Sequence, residues 1–462
     1  MTKSGTQQNL GAIMAIYLTG LFIGGLYVGM IIPVRTAIQV DLGIDDTAGI
    51  WMINIYTLFY AALIPILGKL GDRNGRKPVL IACIGIFAAG AALCGISALT
   101  VNFPLLLAGR AIQAVGACGM IPIANAEMGT AFPPEKRGMA LGMAAGIAGI
   151  ANILGSAAGS GILALCGNQH WEWVFFWCLP ICLVLILAAA KFLPSSTTAD
   201  KGKLDLTGAV LLVLVICALL LGMKHIDFFD LSSVSSVWVW GCALAAIILG
   251  AAFGVFEGKV EDPVFHMEYF RSRPILITMA VSFFIGAMII SMTIIPQFAE
   301  FLLDIPVGAG GYYVAVIGIF SIAGPMIAGK LMDTIGPKPV LISGLCVAAA
   351  GYLFLGLVTT AYPSTVTMLV GLAIVGAGMG FAMGAPTNYM VLENVDLKES
   401  TAAISTIALV RQVGSTLAPA ILVGFIAANT GVVGYIQMMV CATIFCLAGA
   451  ALMLLYRSPR RR

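Results

Sequence analysis

Charged residues are scarce in this sequence, and no long polar segment interrupts it. Of the 462 residues, only 10% are charged, whereas 60% are hydrophobic, and the mean hydropathy is +1.03. Soluble domains are closer to half apolar and about a quarter charged. The longest polar stretch, about residues 257–274, is too short to fold as a soluble domain. The composition therefore predicts a polytopic membrane protein.

Motifs for catalysis, nucleotide hydrolysis and metal binding are also missing. The chain has no G-x-x-x-x-G-K-[ST] phosphate loop, no H-E-x-x-H zinc motif and no G-x-S-x-G nucleophile motif. Its 11 cysteines are odd in number and scattered singly, which predicts neither a disulfide framework nor a metal site. We therefore expect no enzyme activity, no cofactor, no metal and no nucleic-acid partner. Any transport by this chain would have to draw on an ion gradient.

Long apolar runs are plentiful instead. About twenty apolar residues are needed to cross a membrane, and the amino-terminal run is too long for a signal-peptide core, so we interpret it as an uncleaved first span. Fourteen spans are predicted, at 11–34, 48–68, 78–99, 104–125, 139–165, 173–193, 206–223, 236–256, 275–299, 310–329, 340–359, 365–389, 402–427 and 434–456. Both termini then lie on the same side.

Lysine and arginine set the orientation, because cytoplasmic segments carry an excess of both. With the amino terminus inside, all but four of the 24 fall in cytoplasmic segments; the exceptions are Lys224, Arg35, Arg110 and Arg411. The six tryptophans lie near the starts of spans that enter from outside, where aromatic rings favour the interface. Both signals predict a multi-pass plasma-membrane protein with cytoplasmic termini.

One charged turn occurs twice. GKLGDRNGRKP at residues 68–78 recurs as GKLMDTIGPKP at residues 329–339, an offset of 329 − 68 = 261 residues with seven of eleven positions identical. Two six-span repeats would recur after roughly 200 residues, and two extra spans account for the surplus. We predict an all-α protein with six-span bundles at 1–194 and 274–462, and two extra spans with their linkers at 195–273.

Basic inner loops often serve only to fix topology, but this does not explain the matched glycine and aspartate. Gly68 would allow a close helix approach, and Asp72 can face a helix amino terminus, whose dipole favours a negative charge by about 0.3–1 kcal/mol. We predict that a conformational latch, formed in one state and broken in the other, comprises Gly68, Asp72, Arg73, Gly75, Arg76 and Asp333.

At these residues the sequence resembles the major facilitator superfamily, whose signature in the turn between spans 2 and 3 reads G-x-L-a-D-r-x-G-r-k. Further motifs are similar to those of its fourteen-span drug:proton antiporter branch: Trp51, Tyr56, Pro65 and Gly68 in span 2, R-x-x-Q-x-x-G at Arg110, Gln113 and Gly116, and RQVGSTLAPA at 411–420. The resemblance implies two six-helix bundles plus two extra transmembrane helices. It also implies alternating-access export of amphipathic compounds or drugs in exchange for protons, with a small-molecule substrate and the lipid bilayer as partners; we expect a monomer.

Two positions depart from that branch. Span 5 reads GSAAGS where the antiporters carry G-P-x-x-G-G, so Ser156 stands in place of the proline. Span 1 has Gly24 where the antiporters carry an aspartate, which leaves a proton-coupling carboxylate missing from its usual place. The deep charges that remain, Arg110 and Arg411, are both positive, and a charge at the bilayer centre costs at least about 2.5–3.5 kcal/mol.

These deep cations leave two functions open. The alternative to drug export is an organic-anion carrier, similar to the bile-acid carriers, that works by symport or facilitated transport. A membrane sensor or a lipid-modifying enzyme lacks any catalytic constellation. The candidate substrate or coupling residues are Arg110, Gln113, Tyr27, Tyr60, Asn152 and Arg411; for Arg411, snorkelling at a span end is an equal alternative.

An outer gate is predicted from the first spans of the two halves. Arg35 lies two residues after Pro33, and Glu300 lies four residues after Pro296. The duplication makes these span ends symmetry-related, so the two opposite charges would converge when the outer mouth closes. The alternative is that Arg35 snorkels to lipid headgroups and that Glu300 is solvated.

Overall fold

Helices occupy every predicted span in the described part of the chain. The computed structural model describes residues 10–44, 46–133, 136–167, 169–194, 206–224, 236–258, 260, 267–289, 291–305, 311–383, 385–428 and 431–457. In spans 1 to 8 the helices are Leu10–Leu42, Asp46–Asn74, Arg76–Leu99, Phe103–Thr130, Arg137–Cys166, Trp173–Phe176 with Cys178–Phe192, Leu206–Lys224 and Val237–Glu257.

In spans 9 to 14 the helices are Arg273–Ile289 with Ser291–Leu303, Gly311–Ile335, Pro337–Leu353 continued by the π-helix Phe354–Thr359, Thr365–Ala382 with Ala385–Leu392, Ser400–Ala428 and Val432–Leu454. Short 3-10 helices lie at Met267–Phe270 and Leu397–Glu399. Among the described residues, ten helices are long and apolar enough to cross a membrane. The all-helical membrane fold is therefore confirmed, and the count of fourteen spans stays a prediction.

Several helices are longer than the apolar runs that predicted them. The span 1 helix has 33 residues and is about 50 Å long at 1.5 Å per residue, against about 30 Å of hydrocarbon. It ends at Leu42, eight residues beyond the predicted span, so Arg35 lies inside the helix. The span 2 helix likewise continues to Asn74 and includes Asp72 in its last turn. Hydropathy predicts only the part of such a helix that lies in the membrane hydrocarbon. The backbone hydrogen bonds of the helix continue beyond it into the membrane–water interface.

The described chain divides into two compact units. The first comprises residues 1–128, 147–202 and 398–402, and the second comprises residues 129–146, 203–397 and 403–462. The first turn of the span 13 helix thus groups with the first unit, although the rest of that helix groups with the second. The beginning of the span 5 helix groups with the second unit, although the rest of that helix groups with the first.

A close contact between spans 3 and 4 positions the polar residues of the first unit. Gly116 lies one turn after Gln113, and a Cβ atom there would lie 2.5 Å from the carbonyl oxygen of Cys83. A side chain at position 116 would therefore push span 4 away from span 3. This packing explains the glycine of the R-x-x-Q-x-x-G motif and fixes the face of span 4 that carries Arg110 and Gln113.

The second unit has a core contributed by spans 9 to 14, with Val281, Leu345, Met379 and Met438 fully buried in it. Spans 7 and 8 make their most extensive contact with each other. At that contact a Cβ atom on Gly222 would lie 2.9 Å from the Cβ of Cys242. The two extra spans therefore form a paired unit of small-residue packing, as is common for helices in membranes.

Candidate functional site

Arg110 is buried in the first unit, seven residues and about 10 Å from the Phe103 end of the span 4 helix. It is 1% exposed. Its Nε donates to the carbonyl oxygen of Met52 at 3.4 Å, and its Nη1 donates to Oε1 of Gln113 at 2.6 Å. The guanidinium carbon lies 4.2 Å from the ring centroid of Tyr56. No ion pair among the described residues includes Arg110, so a π face and two neutral oxygens stabilise this charge.

Two buried atoms of these side chains, Nε2 of Gln113 and Oη of Tyr56, have no hydrogen-bond partner in the described part of the chain. The same holds for Nε1 of Trp177, whose ring stacks on Tyr27. A guanidinium has only donors. Gln113 must therefore turn its oxygen toward Arg110, which leaves its amide NH₂ group unpaired. This part of the first unit therefore has more hydrogen-bond donors than acceptors. Each buried unpaired group costs about 1–3 kcal/mol.

Aromatic rings surround these donors. Tyr60 stacks on Tyr56 with the ring centroids 6.0 Å apart. Tyr27 stacks on Trp177 at 6.3 Å and donates its hydroxyl to the carbonyl oxygen of Val174 at 2.7 Å. The hydroxyl of Tyr27 is thus satisfied by the backbone, while its ring holds the Trp177 indole in place.

Gly24 lies far from Arg110. A Cβ atom at position 24 would lie 3.5 Å from Cε of Met120 and 3.8 Å from Cγ1 of Ile121. Met120 is ten residues after Arg110 on span 4, a rise of about 15 Å. Ala117, whose carbonyl oxygen would lie 4.0 Å from the same Cβ atom, is seven residues and about 10 Å after Arg110, so the contacts of Gly24 lie two to three helical turns from that residue. The missing carboxylate and the unpaired Arg110 are therefore separate features of this chain.

Asp72 faces the amino terminus of the span 13 helix. Its Oδ1 accepts from the backbone N–H of Thr401 at 3.1 Å, and its Oδ2 accepts from that of Ala402 at 2.8 Å. The first amides of a helix have no intrahelical partner, so this carboxylate satisfies two of them and meets the positive end of the helix dipole.

Arg76 adds a second set of bonds at the same helix end. Its Nη1 lies 2.7 Å from Oε2 of Glu127 on span 4. Its Nη2 donates to Oγ of Ser400 at 2.6 Å, and its Nε donates to Oγ1 of Thr401 at 3.3 Å. Arg76 therefore links spans 3 and 4 to the first turn of span 13.

The repeated turn builds a similar contact in the second unit. Oδ1 of Asp333 accepts from the N–H of Gly138 at 2.7 Å, and Oδ2 accepts from that of Met139 at 3.0 Å, at the start of the span 5 helix. Gly329, the counterpart of Gly68, packs against this helix: its Cβ atom would lie 2.5 Å from the carbonyl oxygen of Gly138. Gly68 is buried in span 2, and Arg73 is half-buried in the last turn of that helix.

The glycines that follow the two aspartates have a conformational reason. Gly75 has φ 88° and ψ 143°, and Gly336 has φ 84° and ψ 168°. This region is open almost only to glycine. Each glycine is the one residue between two consecutive helices, and it turns the chain from one helix into the next.

A family model described as Major Facilitator Superfamily matches residues 17–419 and 276–462. The chain belongs to the major facilitator superfamily. It is accordingly a multi-pass membrane transporter and not an enzyme. Uncharacterized MFS-type transporter YfiU of Bacillus subtilis is 33% identical over 91% of this chain and 80% of its own length. Multidrug transporter protein MdtP of Bacillus subtilis is 28% identical over 93% of this chain and 78% of its own length.

Solved major facilitator structures share the fold. The structure of the proton:xylose symporter XylE superposes with a TM-score of 0.70 at 13% identity, covering 97% of this chain and 95% of that chain. At this identity the likeness shows the fold alone.

This major facilitator protein brings only some of the predicted residues together. Arg110 and Gln113 are bonded to each other, and Tyr60 lies against the Tyr56 ring beneath them. Arg411 is half-buried in the second unit, where its carbonyl oxygen contacts Gly286. The side chain of Asn152 is outside the described residues.

The predicted gate residues lie in different units. Arg35 is half-buried, seven residues before the end of the span 1 helix. Glu300 is half-buried, three residues before the end of its helix. Their distances from the helix ends, about 10 Å and about 5 Å, are thus not equal, and the gate stays a prediction.

Two residues of the Arg110 neighbourhood were not among the predicted candidates. Tyr56 lies one helical turn before Tyr60, and this spacing places both rings on one face of span 2. That signal was available in the sequence. Trp177 was interpreted as an interfacial ring, and nothing in the sequence places its indole N–H in the interior.

Proposed function

We propose that this transporter exports amphipathic organic compounds from the cytoplasm in exchange for protons, by alternating access. The twin contacts between an aspartate and a helix end support alternating access most directly. The multidrug transporter among its relatives supports the substrate class. The distribution of lysine and arginine supports cytoplasmic termini.

The two aspartates would act as latches on the cytoplasmic side. Each carboxylate holds the first turn of a helix whose remainder groups with the other unit. Release of Asp72 would free span 13, and release of Asp333 would free span 5. A hydrogen bond to a charged group contributes about 1.5–3 kcal/mol, so two such bonds can be broken and remade by the binding energy of a substrate or an ion.

Transport by purified protein in proteoliposomes tests this function. With a proton gradient of the correct direction imposed, a panel of cationic, neutral and anionic amphipaths should include at least one compound that moves against its own gradient. A protonophore should abolish that movement. Because Gly24 cannot titrate, another group would have to carry the proton, and the same experiment measures this coupling. If no amphipath moves in response to a pH gradient, the proposal is wrong.

An outer gate of Arg35 and Glu300 completes the proposed cycle. When the mouth closes and excludes water, such a pair would contribute more than the roughly 0–1 kcal/mol of an exposed ion pair. Arg35→Glu and Glu300→Arg should each impair transport, and the double exchange should restore a substantial part of it. A double mutant no better than the worse single mutant would remove the support for this gate.

A further inference from the structure

We name four side chains of the first unit the donor cluster: Arg110, Gln113, Tyr56 and Trp177. Arg110 contacts Gln113 and Tyr56, and Trp177 is linked to them through Tyr27, which stacks on its indole and interacts electrostatically with Arg110. Arg110, Gln113 and Tyr56 are 1%, 0% and 2% exposed. The cluster draws on spans 2 and 4 and on the residue that joins the two helices of span 6. All of it lies within the first unit.

The unused groups of the cluster are nearly all of one kind. The guanidinium, the glutamine NH₂ group and the indole N–H can only donate, and the tyrosine hydroxyl can do so as well. The Nη2 atom of Arg110 has no hydrogen bond among the described contacts. A ligand that completes this set must therefore offer several acceptor lone pairs, and a negative charge would also compensate the buried arginine.

Access to Arg110 is directional. The Tyr56 ring covers one face of the guanidinium at 4.2 Å, so a ligand cannot stack on that face, whereas the N–H groups point outward along the edge. Edge-on approach is the geometry by which a planar carboxylate accepts two parallel hydrogen bonds from arginine. The stacked ring of Tyr60 extends the aromatic surface of Tyr56 by one helical turn along span 2.

We infer that the donor cluster binds the carboxylate or sulfonate head of an amphipathic organic anion, with the apolar body of that anion against the Tyr56 and Tyr60 rings. This names the substrate class of the proposed function and rests on it only in that the chain carries an amphipathic compound. A cationic amphipath would meet an uncompensated positive charge and donors that it cannot satisfy.

Binding to the purified protein in detergent tests the charge preference. The probes are 2-naphthoate, 2-naphthylmethanol and (2-naphthylmethyl)trimethylammonium, which share one ring system and differ in charge; calorimetry measures their affinities. We expect the carboxylate to bind at least tenfold more tightly than the alcohol, and the cation to bind no better than the alcohol. Absence of carboxylate binding at millimolar concentration, or equal binding of the alcohol, overturns the inference.

Gln113→Glu is the sharpest variant. It places a carboxylate where the amide oxygen already lies 2.6 Å from Nη1 of Arg110, so the protein would satisfy its own arginine without a cavity being created. Naphthoate affinity should fall at least tenfold, while the thermal midpoint without ligand stays equal or rises. Unchanged affinity in this folded variant contradicts the site.

Substitutions that each remove one hydrogen-bond donor test the individual members of the cluster. Tyr56→Phe and Trp177→Phe remove one polar hydrogen each and keep an aromatic ring, so each should weaken naphthoate binding about threefold to tenfold. Arg457→Gln is the matched control, because it removes an exposed positive charge outside the cluster, and it should leave the affinity unchanged. Equal losses in the control and the cluster variants would mean that net charge, and not this site, attracts the anion.

Failure of this inference is distinguishable from failure of the proposed function. Robust pH-driven export of cations that Gln113→Glu leaves unaltered would retain the function and reject the anion site. Tight naphthoate binding that Gln113→Glu abolishes, without transport of any probe into proteoliposomes, would retain the site and reject the export function.

Discussion

The two copies of the charged turn contact their helix ends through different sets of residues. Asp72 and Asp333 each accept two backbone N–H bonds at 2.7–3.1 Å. The first copy also has Arg76, whereas Pro337 stands at that position in the second copy, at the same offset of 261 residues. The partner of Arg76 changes as well, since Glu127 has Asn388 at that offset.

This comparison separates what both halves require from what one half adds. The carboxylate on a helix end is common to both, and so is the glycine with positive φ that follows it. The first half has both Arg76 and Glu127, and the second half has neither, since Pro337 and Asn388 stand at the two matching positions. Asn388 is 3% exposed, and its Oδ1 atom has no hydrogen-bond partner among the described residues. We therefore expect the first latch to dominate the energetics.

The largest expected effect is that of Asp72→Asn. The amide keeps one acceptor but loses the charge that meets the helix dipole, so the balance between transporter states shifts. Transport in proteoliposomes should slow at least tenfold, whereas the equilibrium affinity for substrate should stay within about threefold. A collapse of affinity at normal expression would show that Asp72 belongs to the substrate site and not to a latch.

Asp333→Asn should have a smaller effect, about threefold on the transport rate. The second turn has Pro337 at the position of Arg76, so no counterpart of the Arg76 bonds adds to the two backbone bonds of Asp333. The same flux assay measures both variants, and Asp396→Asn serves as a control because it removes an exposed carboxylate elsewhere. If Asp333→Asn slows transport as much as Asp72→Asn, the arginine pair is not what distinguishes the two turns.

The next prediction transfers the pair to the second half. Pro337→Arg with Asn388→Glu recreates the charges of Arg76 and Glu127, whereas each single variant leaves one unpaired charge at a buried position. The double variant should be more stable than either single variant by about 1–2 kcal/mol, as a coupling between the two sites. Thermal unfolding of the unaltered protein, the two single variants and the double variant gives this coupling. If the changes in stability are additive, positions 337 and 388 do not correspond to the Arg76–Glu127 pair.

The sequence predicted the contact of Asp72 with a helix end, but not which helix it contacts. That Asp72 can meet a helix end follows from its charge and its place after an apolar run. That the helix is span 13 does not follow, because Thr401 lies 329 residues away in the chain. Pairings over such distances depend on how whole helices pack, and single-sequence periodicity carries no information on this.

The Arg110 neighbourhood shows the same division. Arg110 was predicted as a site residue from the cost of a buried charge, and Gln113 was predicted from the motif spacing. The ring beneath the guanidinium was within reach of a helical-spacing argument, but the Trp177 indole was not, since it comes from a break between two helices. The predicted spans also end before the helices do in spans 1 and 2. The length of an apolar run reflects the thickness of the hydrocarbon and not the length of the helix.

The smallest expected effect concerns a feature in which the two copies are alike. Lys77 donates to the carbonyl oxygens of Ala190 and Leu193 at 2.8 and 2.7 Å, at the end of span 6. Lys338, at the same offset of 261 residues, donates to those of Leu454 and Tyr456 at 3.0 and 2.8 Å, at the end of span 14. A cation at a helix carboxyl end contributes about 0.3–1 kcal/mol.

Lys77→Met and Lys338→Met should therefore each lower the unfolding free energy by about 0.5–1 kcal/mol, and the two losses should agree within about 0.5 kcal/mol. Methionine keeps the length of the side chain, so packing along the stem is preserved. Transport should change less than twofold, because the hydrogen bonds of each lysine among the described residues stay within its own unit. Thermal unfolding and flux measured on both variants check this, and a loss of transport in only one of them would extend the asymmetry of the turns to their lysines.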